Sequence, residues 1–418
     1  MRRLLILGAG TAGTMAANVL HRRLDDDWEV TVVEPSGAHL YQPGLLFLPF
    51  GRYDTADLKR PTHSTLHQGI HRVRGEVERV VPEADTVELT DGRRLPYDEL
   101  VIATGTTPRP DQTPGMLDGG EWHRSVHEFY TLPGALALRE ALRGFHGGRL
   151  LVHITEMPIK CPVAPLEFTF LADAFFDDLG IRDRVDITYV TPLSAAFTQP
   201  VAARELGHML ERRGIALETD FVVERVDAER KRLVSFDERE LPFDLLVTVP
   251  LNMGADFVAR SGLGDELHYV HVDRHTSQSP DWPNVWALGD AADLPTSKAG
   301  SVAHFSVEVF VENFLQHVAG EPMTHAFDGH ANCYVESGHG KAMLIDFNYD
   351  TQPLTGTYPV PRVGPFRLLE ETRVNHLGKL AFRHLYWNVL LPGRPLPLPA
   401  HMSMAGKHPE PSHETVEV

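Results

Sequence analysis

The stretch Arg2 to Glu34, RRLLILGAGTAGTMAANVLHRRLDDDWEVTVVE, constrains the fold more than any other part of the chain. Leu4 to Leu7 are a short apolar run suited to a strand buried in a parallel sheet. Gly8, Gly10 and Gly13 follow as G-x-G-x-x-G, and Thr14 to Arg23 carry helix-forming residues with an apolar stripe. A second apolar run, Val30 to Val33, ends on Glu34. The first glycine permits a tight turn, the second lets the backbone approach a pyrophosphate, and the third lets helix and strand pack closely. The helix N-terminus offers unpaired N–H groups to phosphates. An acid about twenty residues further on suits a ribose hydroxyl, and Glu34 stands there. Three glycines alone would be a weak sign, but strand, glycines, helix, strand and acid occur here in order. Glutamate rather than a nearby arginine disfavours a 2′-phosphate. The fingerprint serves FAD and NAD equally.

Two later segments narrow the choice. Val101-Ile102-Ala103-Thr104-Gly105 is a buried strand ending in A-T-G, where Ala103, Thr104 and Gly105 let backbone come close to a cofactor. Asn284 to Ala291 is another, ending in Gly289-Asp290-Ala291 before a helix that begins near Lys298. An aspartate there can bind a ribityl hydroxyl, while the helix points its positive end at a flavin. Three separated contacts of this kind predict one FAD. Between them, Tyr41, Phe47 and Phe50 either wall the flavin or fill a domain interface. Val73 to Leu89 read as a two-strand meander, and Asp91-Gly92 as a hairpin turn.

The pattern then repeats. Arg149 to Ile154 read as a strand, Pro165 to Phe176 as a helix and Val185 to Val190 as a strand. Pro242-Phe243-Asp244 echoes Pro96-Tyr97-Asp98 ahead of a second apolar strand, which indicates a duplicated unit. Where glycines should follow the strand, the copy reads Thr155-Glu156-Met157-Pro158-Ile159-Lys160-Cys161-Pro162. A pyrophosphate cannot approach backbone carrying those side chains. The second unit is therefore expected not to bind NAD(P)H.

Composition sets outer limits. The net charge of −18 argues against nucleic acid as a partner. Two cysteines, Cys161 and Cys333, exclude a disulfide scaffold and a four-cysteine metal site, and the 23 histidines show no H-E-x-x-H spacing, so no metal is expected. No apolar run reaches transmembrane length. The opening MRRLLILGAG reads as the first strand rather than a signal, so a cytoplasmic protein is expected.

At this point the residues resemble a known family. The arrangement is similar to the two-dinucleotide-binding-domain flavoproteins of glutathione-reductase-like fold, and within them to the sulfide:quinone oxidoreductases. The segments that carry the resemblance are Lys160 to Glu167 (KCPVAPLE), Gly289 to Ser301 (GDAADLPTSKAGS) with Ala303-His304-Phe305, and Cys333-Tyr334 ahead of Gly338. It implies an α/β fold of two Rossmann-like domains with a C-terminal membrane-associating segment. The implied division is 1–112 plus 251–325 for FAD, 113–250 for the second domain, and 326–418 for a quinone- and membrane-facing region with a disordered tail.

The resemblance also implies that Cys161 and Cys333 form a redox pair at the flavin. A third cysteine, frequent in the family, is missing from Glu121 to Thr131, which matches the two-cysteine variant. Sulfide would open the Cys161–Cys333 bridge and the electrons would pass through FAD to a quinone. Glu167 would carry protons or simply be solvated, and Lys298 would stabilise negative charge on the reduced flavin or sit in a surface ion pair. Independently of the resemblance, Lys160 and a helix starting at Pro162 predict a lowered pKa for Cys161.

From Thr372 to His408 there is no Asp or Glu, and residues 376–391 read HLGKLAFRHLYWNVLL. Leu377, Leu380, Phe382, Leu385, Tyr386, Val389 and Leu390 would give an apolar helical face with Trp387 at its edge. With cationic neighbours, this suits a helix on the inner face of the cell membrane. The alternatives are a core-packed helix or a homodimer contact. Phe347, Tyr386 and Trp387 are candidates to sandwich a quinone ring. Three rivals stand beside this reading: a flavin subunit feeding a cytochrome, a type II NADH:quinone oxidoreductase, and a catalytically idle flavoprotein acting as a redox sensor.

Overall fold

The apolar run at the N-terminus is the central strand of a five-stranded parallel sheet. In spatial order the strands are Val285–Ala287, Glu99–Ile102, Arg2–Leu7, Trp28–Glu34 and His71–Arg74. Leu4, Ile6 and Leu7 are fully buried, as a strand covered on both faces requires. The structure is a computed structural model and describes residues 1–396 and 399–408. The expected disordered tail lies outside the described residues from position 409 on.

The expected meander from Val73 needs correction. Val73 belongs to the edge strand of the main sheet, and a separate antiparallel ribbon follows, Val77–Val81, Thr86–Leu89 and Arg94–Pro96. Asp91-Gly92 makes its second turn, with Gly92 at φ +86°.

A second five-stranded parallel sheet runs Val126–His127, Leu245–Val249, Gly148–Ile154, Val185–Val190 and Ala216–Glu218. It too carries a three-stranded ribbon, Val223–Asp227, Arg232–Ser235 and Glu240–Pro242. The duplication extends to single bonds. In the first unit, the Arg3 backbone N–H and Nε donate to Asp98 at 2.6 and 3.1 Å. In the second, Arg149 does the same to Asp244 at 2.8 and 3.1 Å, 95 residues on in both cases. The fold is α/β with two Rossmann-like units.

The helices that build the site are α1 (Thr11–Arg23), α2 (Ala164–Asp178), α3 (Gly300–Val318) and α4 (Arg373–Leu385). A third sheet, Ala331–Gly338, Lys341–Phe347, Gly364–Leu368, Thr355–Val360 and Lys407–His408, packs its first strand on α2. Gly338 makes that approach feasible: a Cβ there would sit 2.8 Å from the Phe170 carbonyl oxygen.

The continuous amphipathic helix expected over 376–391 is interrupted. The α-helix ends at Leu385, and Tyr386–Leu390 form a π-helical turn. Tyr386, Trp387, Leu390 and Leu391 are buried. Asn18 and Arg22 of α1 hold this turn by donating to the carbonyls of Leu391 and Gly393, both at 2.7 Å. The second half of the segment is core-packed. The exposed apolar side chains nearby are instead Val374 and Leu377 on α4, and Val360 and Val363 at the tip of the hairpin joining Thr355–Val360 to Gly364–Leu368. No described helix is long and apolar enough to cross a membrane.

The chain's last described strand is locked by a buried ion pair between Lys407 and Asp346, side chains 1% and 0% exposed. His330 Nε2 and Asn332 Nδ2 approach the other Asp346 oxygen at 2.8 and 3.1 Å. Burial works against this carboxylate, but His330 and Lys407 hold its pKa below the ordinary value. Asp346→Ala would leave the Lys407 ammonium buried without its partner. We expect about 3–5 kcal/mol lower stability, read by denaturant unfolding at pH 7. This contribution should be present above the ordinary aspartate range and vanish in the parent protein as acid protonates Asp346.

Candidate active site

A cavity of about 640 Å³ opens along the C-terminal ends of the first sheet, within the size range of ligand sites. Gly8, Gly10, Glu34, Ala103, Thr104, Gly105, Gly289, Asp290 and Lys298 all line it. The glycines play distinct parts. Gly8 has φ +103°, and a Cβ would lie 2.5 Å from the Ala103 oxygen, while one on Gly13 would lie 2.0 Å from the Gly8 oxygen. Gly10 caps α1 and meets nothing within 4 Å, so it faces the open cavity. Glu34 is fixed by the backbone N–H groups of Ser36 and Gly37 at 2.8 and 2.7 Å. The N-terminal residues of α3, Gly300 and Ala303, line the cavity as well. This cradle fits a dinucleotide such as FAD: glycine backbone for a pyrophosphate, Glu34 for a ribose, and Thr104 with a buried hydroxyl that has no partner among the described residues. Gly13→Ala should fail to fold stably, whereas Gly10→Ala should fold with normal thermal stability and retain less flavin, read by absorbance per protein after desalting.

The far end of the cavity is charged. Lys298 is buried rather than in a surface ion pair: its Nζ donates to the carbonyls of Asp290 and Ala292 at 3.0 and 2.9 Å, and lies 3.6 Å from the Tyr269 ring centre. Burial, opposed by Asp290, pushes its pKa down to about 8. The backbones of Lys160 and Lys298 run side by side, and the Cys161 N–H donates to the Lys298 carbonyl at 2.6 Å. Thus the family-like segments around Cys161 and Lys298 form one wall.

Cys161 lines the cavity and adopts φ +51°, a left-handed conformation rare for such a residue. Cys333 is buried on Ala331–Gly338, beside Ser301 of α3. Both are free thiols. The expected lowering of the Cys161 pKa is overturned. Lys160 turns its ammonium to the Thr106 carbonyl at 3.4 Å, and α2 starts at Ala164 rather than Pro162. Burial therefore dominates and raises the thiol, helped by Glu167 and Cys333 and opposed by Lys379. Burial pushes Cys333 up to about 12, again opposed by Lys379 and reinforced by Glu167. The two thiols, far apart in sequence, thus sense one carboxylate and one ammonium.

Glu167 is not solvated. It is fully buried in the first turn of α2, and its Oε1 accepts from Lys379 Nζ at 2.5 Å and from the Glu336 N–H at 2.8 Å. Oε2 has no partner. Burial raises its pKa against the pull of Lys379. Lys379 was missed as a site residue; its signal is a lone lysine inside the apolar pattern of α4.

The quinone candidates separate. Tyr386 and Phe382 line the cavity, but the Tyr386 hydroxyl is already bonded to Thr11 and His39 at 2.9 and 2.6 Å. Phe347 is buried opposite Ala331, and Trp387 packs on His39 and Tyr41 with the Arg60 guanidinium over its face. Neither borders the cavity. Phe50 packs tilted on Phe168 and edge-on to Phe175 of α2, filling the interface between units, while Gln42, Pro43, Leu45 and Leu46 of the same loop line the cavity. Among the described residues, no cluster of His, Cys, Asp or Glu is placed to hold a metal.

Comparison with known proteins agrees with this fold. The profile of the pyridine nucleotide-disulphide oxidoreductase family matches residues 2–144. The chain is 26% identical over 396 residues to the mitochondrial sulfide:quinone oxidoreductase of Mus musculus, covering 93% of this chain and 86% of that one. It is 21% identical over 359 residues to the sulfide-quinone reductase of Aquifex aeolicus (strain VF5), covering 81% of each. The structure of the sulfide:quinone oxidoreductase from Aquifex aeolicus superposes with a TM-score of 0.80 at 18% identity, over 94% of this chain and 92% of that one.

Proposed function

We propose that this chain is an FAD-dependent enzyme that oxidises sulfide through Cys161 and Cys333 and passes the electrons to a quinone. The observation that carries the reading is the convergence of both thiols on the Glu167–Lys379 pair at the wall of a dinucleotide cavity. The sequence likeness to sulfide:quinone oxidoreductases over most of the chain supports it. FAD, when bound, supplies the two-electron acceptor.

The residues divide the remaining work. Hydrosulfide attacks a Cys161–Cys333 bridge, one new S–S bond forms as the old one breaks, and one cysteine leaves as thiolate. Lys379 offsets the negative charge that burial would otherwise disfavour. Glu167 presents a free carboxylate oxygen to take a proton. On the wall shared with Cys161, Lys160 and Lys298 place two cations near Asp290, where they would stabilise negative charge on a bound flavin. The second unit buries Ile159 where a nucleotide-binding unit would have glycine, which disfavours NADH as donor.

Docking on a bilayer completes the reading, because a quinone dissolves there. Exposed Val360, Val363, Val374 and Leu377 stand beside exposed Arg362, Arg367 and Arg373. Apolar tips with cations suit the anionic cytoplasmic leaflet. Trp387, Tyr386 and Leu390 take no part, so deleting 376–391 would damage the core rather than release the protein.

Anaerobic sulfide should bleach the flavin absorbance of the wild type but not of Cys161→Ser or Cys333→Ser. Rapid bleaching by NADH would favour the dehydrogenase rival. A Val363→Asp, Leu377→Glu variant should bind anionic vesicles at least tenfold more weakly in co-sedimentation, since each buried side chain contributes about 1.5–3 kcal/mol. Concentration-dependent pairing of wild-type chains without lipid, lost in that variant, would assign the face to a homodimer instead.

A further inference from the structure

The hydroxyl of Tyr386 is turned to the glycine fingerprint. Tyr386 opens the π-helical turn at the end of α4 and is buried, as is His39. His39 Nε2 lies 2.6 Å from the Tyr386 hydroxyl, and its Nδ1 lies 2.8 Å from the Ala9 carbonyl. The Thr11 hydroxyl stands 2.9 Å from the same phenol. What each group can offer fixes the direction of these bonds. Ala9 presents only a carbonyl, so His39 Nδ1 carries the hydrogen. Burial, opposed by the Ala9 bond and reinforced by Arg60, takes the His39 pKa down to about 4. The ring is therefore neutral near pH 7 and Nε2 accepts. Tyr386 donates to His39, and Thr11 donates to Tyr386. Burial raises the phenol's pKa against the pull of Thr11, which keeps the donated proton in place.

These bonds end on one peptide. The Ala9 carbonyl accepts from His39 and also from Thr14 Oγ1, at 3.0 Å. A trans peptide is planar, so its N–H points opposite to its C=O. Fixing the Ala9 carbonyl toward His39 thus fixes the Gly10 N–H away from it. Gly10 caps α1 without any side-chain cap bond and stands at φ −77°. Turning the Ala9–Gly10 peptide over would carry that φ to the positive side, which glycine accepts at little cost. A carbonyl, itself an acceptor, would then replace a donor in front of the phosphates.

We propose that Tyr386 and His39 are positioning residues for the cofactor, holding the Ala9–Gly10 peptide so that its N–H meets the pyrophosphate of a bound dinucleotide. This rests on the dinucleotide reading of the cavity and not on the sulfide chemistry. Ala9, Gly10, Thr11, His39 and Tyr386 all line that cavity. The same turn is fastened further along α1, where Asn18 and Arg22 donate to the carbonyls of Leu391 and Gly393. Thr11, Asn18 and Arg22 share one face of α1, so the C-terminal turn runs along the helix whose N-terminus meets the phosphates. Irregular helical turns of this kind recur at functional sites. The last helical segment of the chain thereby sets a bond that the first loop makes.

The test is flavin release from the FAD-loaded protein, followed by the rise in flavin fluorescence after rapid dilution. Tyr386→Phe keeps the ring packed on Tyr41 and Trp387 and removes only the hydroxyl. Release should be roughly tenfold faster in Tyr386→Phe and in His39→Leu. His39→Asn, whose amide can donate to Ala9 in place of Nδ1, should release more slowly than the leucine variant. In calorimetry on flavin-stripped full-length protein, Tyr386→Phe should bind ADP about tenfold more weakly. It should bind adenosine, which lacks the diphosphate, as tightly as the parent. General damage to the fold would weaken both ligands alike. That result, wild-type release from Tyr386→Phe, or an asparagine variant no better than leucine would overturn the positioning role. Should His39→Leu fail to fold, the Tyr386→Phe measurements decide alone. A wild-type chain that retains no FAD would instead remove the cofactor reading, and the positioning role with it.

Discussion

A single sealed carboxylate holds the site together. Glu167 sits in the first turn of α2 with no exposure, accepts one hydrogen bond from the strand Ala331–Gly338 and one from Lys379 on α4. Three elements from three parts of the chain therefore meet at one charged atom. Burying such a pair is worthwhile only if its geometry is kept, since removing one partner strands the other. The same contact seats Cys333 over the helix that follows Cys161. Gly338, pressed on the Phe170 carbonyl and Ala174, shows how tightly strand and helix must approach for that to happen.

The two Rossmann-like units show how one fold comes to carry two tasks. Their likeness shows in the Arg3–Asp98 and Arg149–Asp244 bonds, which fasten equivalent strands. The divergence lies at the first turn after the central strand. Gly8 and Gly13 keep the first unit's backbone bare, whereas the second fills that turn with buried Ile159 and the left-handed Cys161. Losing the glycines removes a phosphate site and leaves a loop able to carry a thiol toward its neighbour's cavity.

Much of this was legible in the residues. The glycine fingerprint, A-T-G and G-D-A are local signals whose geometry follows from missing side chains, and they fall on the cavity wall. The limits of Val185–Val190 were readable because its apolar residues Val185, Ile187, Tyr189 and Val190 are the ones a covered parallel strand must bury. Other features were not readable, for reasons that can be named. The direction of the Cys161 pKa depended on where Lys160 points and where α2 starts, and both are set by tertiary packing. An amphipathic segment with Tyr and Trp reads the same whether lipid or protein covers it. His39, Tyr41 and Arg60, which cover Tyr386 and Trp387, come from the opposite end of the chain.

Thiols raised by burial are at first sight poor redox groups, since reactivity usually follows thiolate content. The proposed reaction inverts that expectation. A resting disulfide has no proton to lose, so a raised thiol pKa matters at the opening step, where Lys379 offsets the charge of the leaving thiolate. The thiolate then released is strongly basic, and basic thiolates are intrinsically better nucleophiles. Enclosure thus makes the thiolate eager to give up its electron pair. Lys379 keeps that state accessible by opposing the rise at both sulfurs. Glu167 pulls the other way, so one carboxylate and one ammonium set the balance for both sulfurs. Any proton on Glu167 would tilt that balance at once, tying the charge of the buried cluster to the moment at which electrons leave.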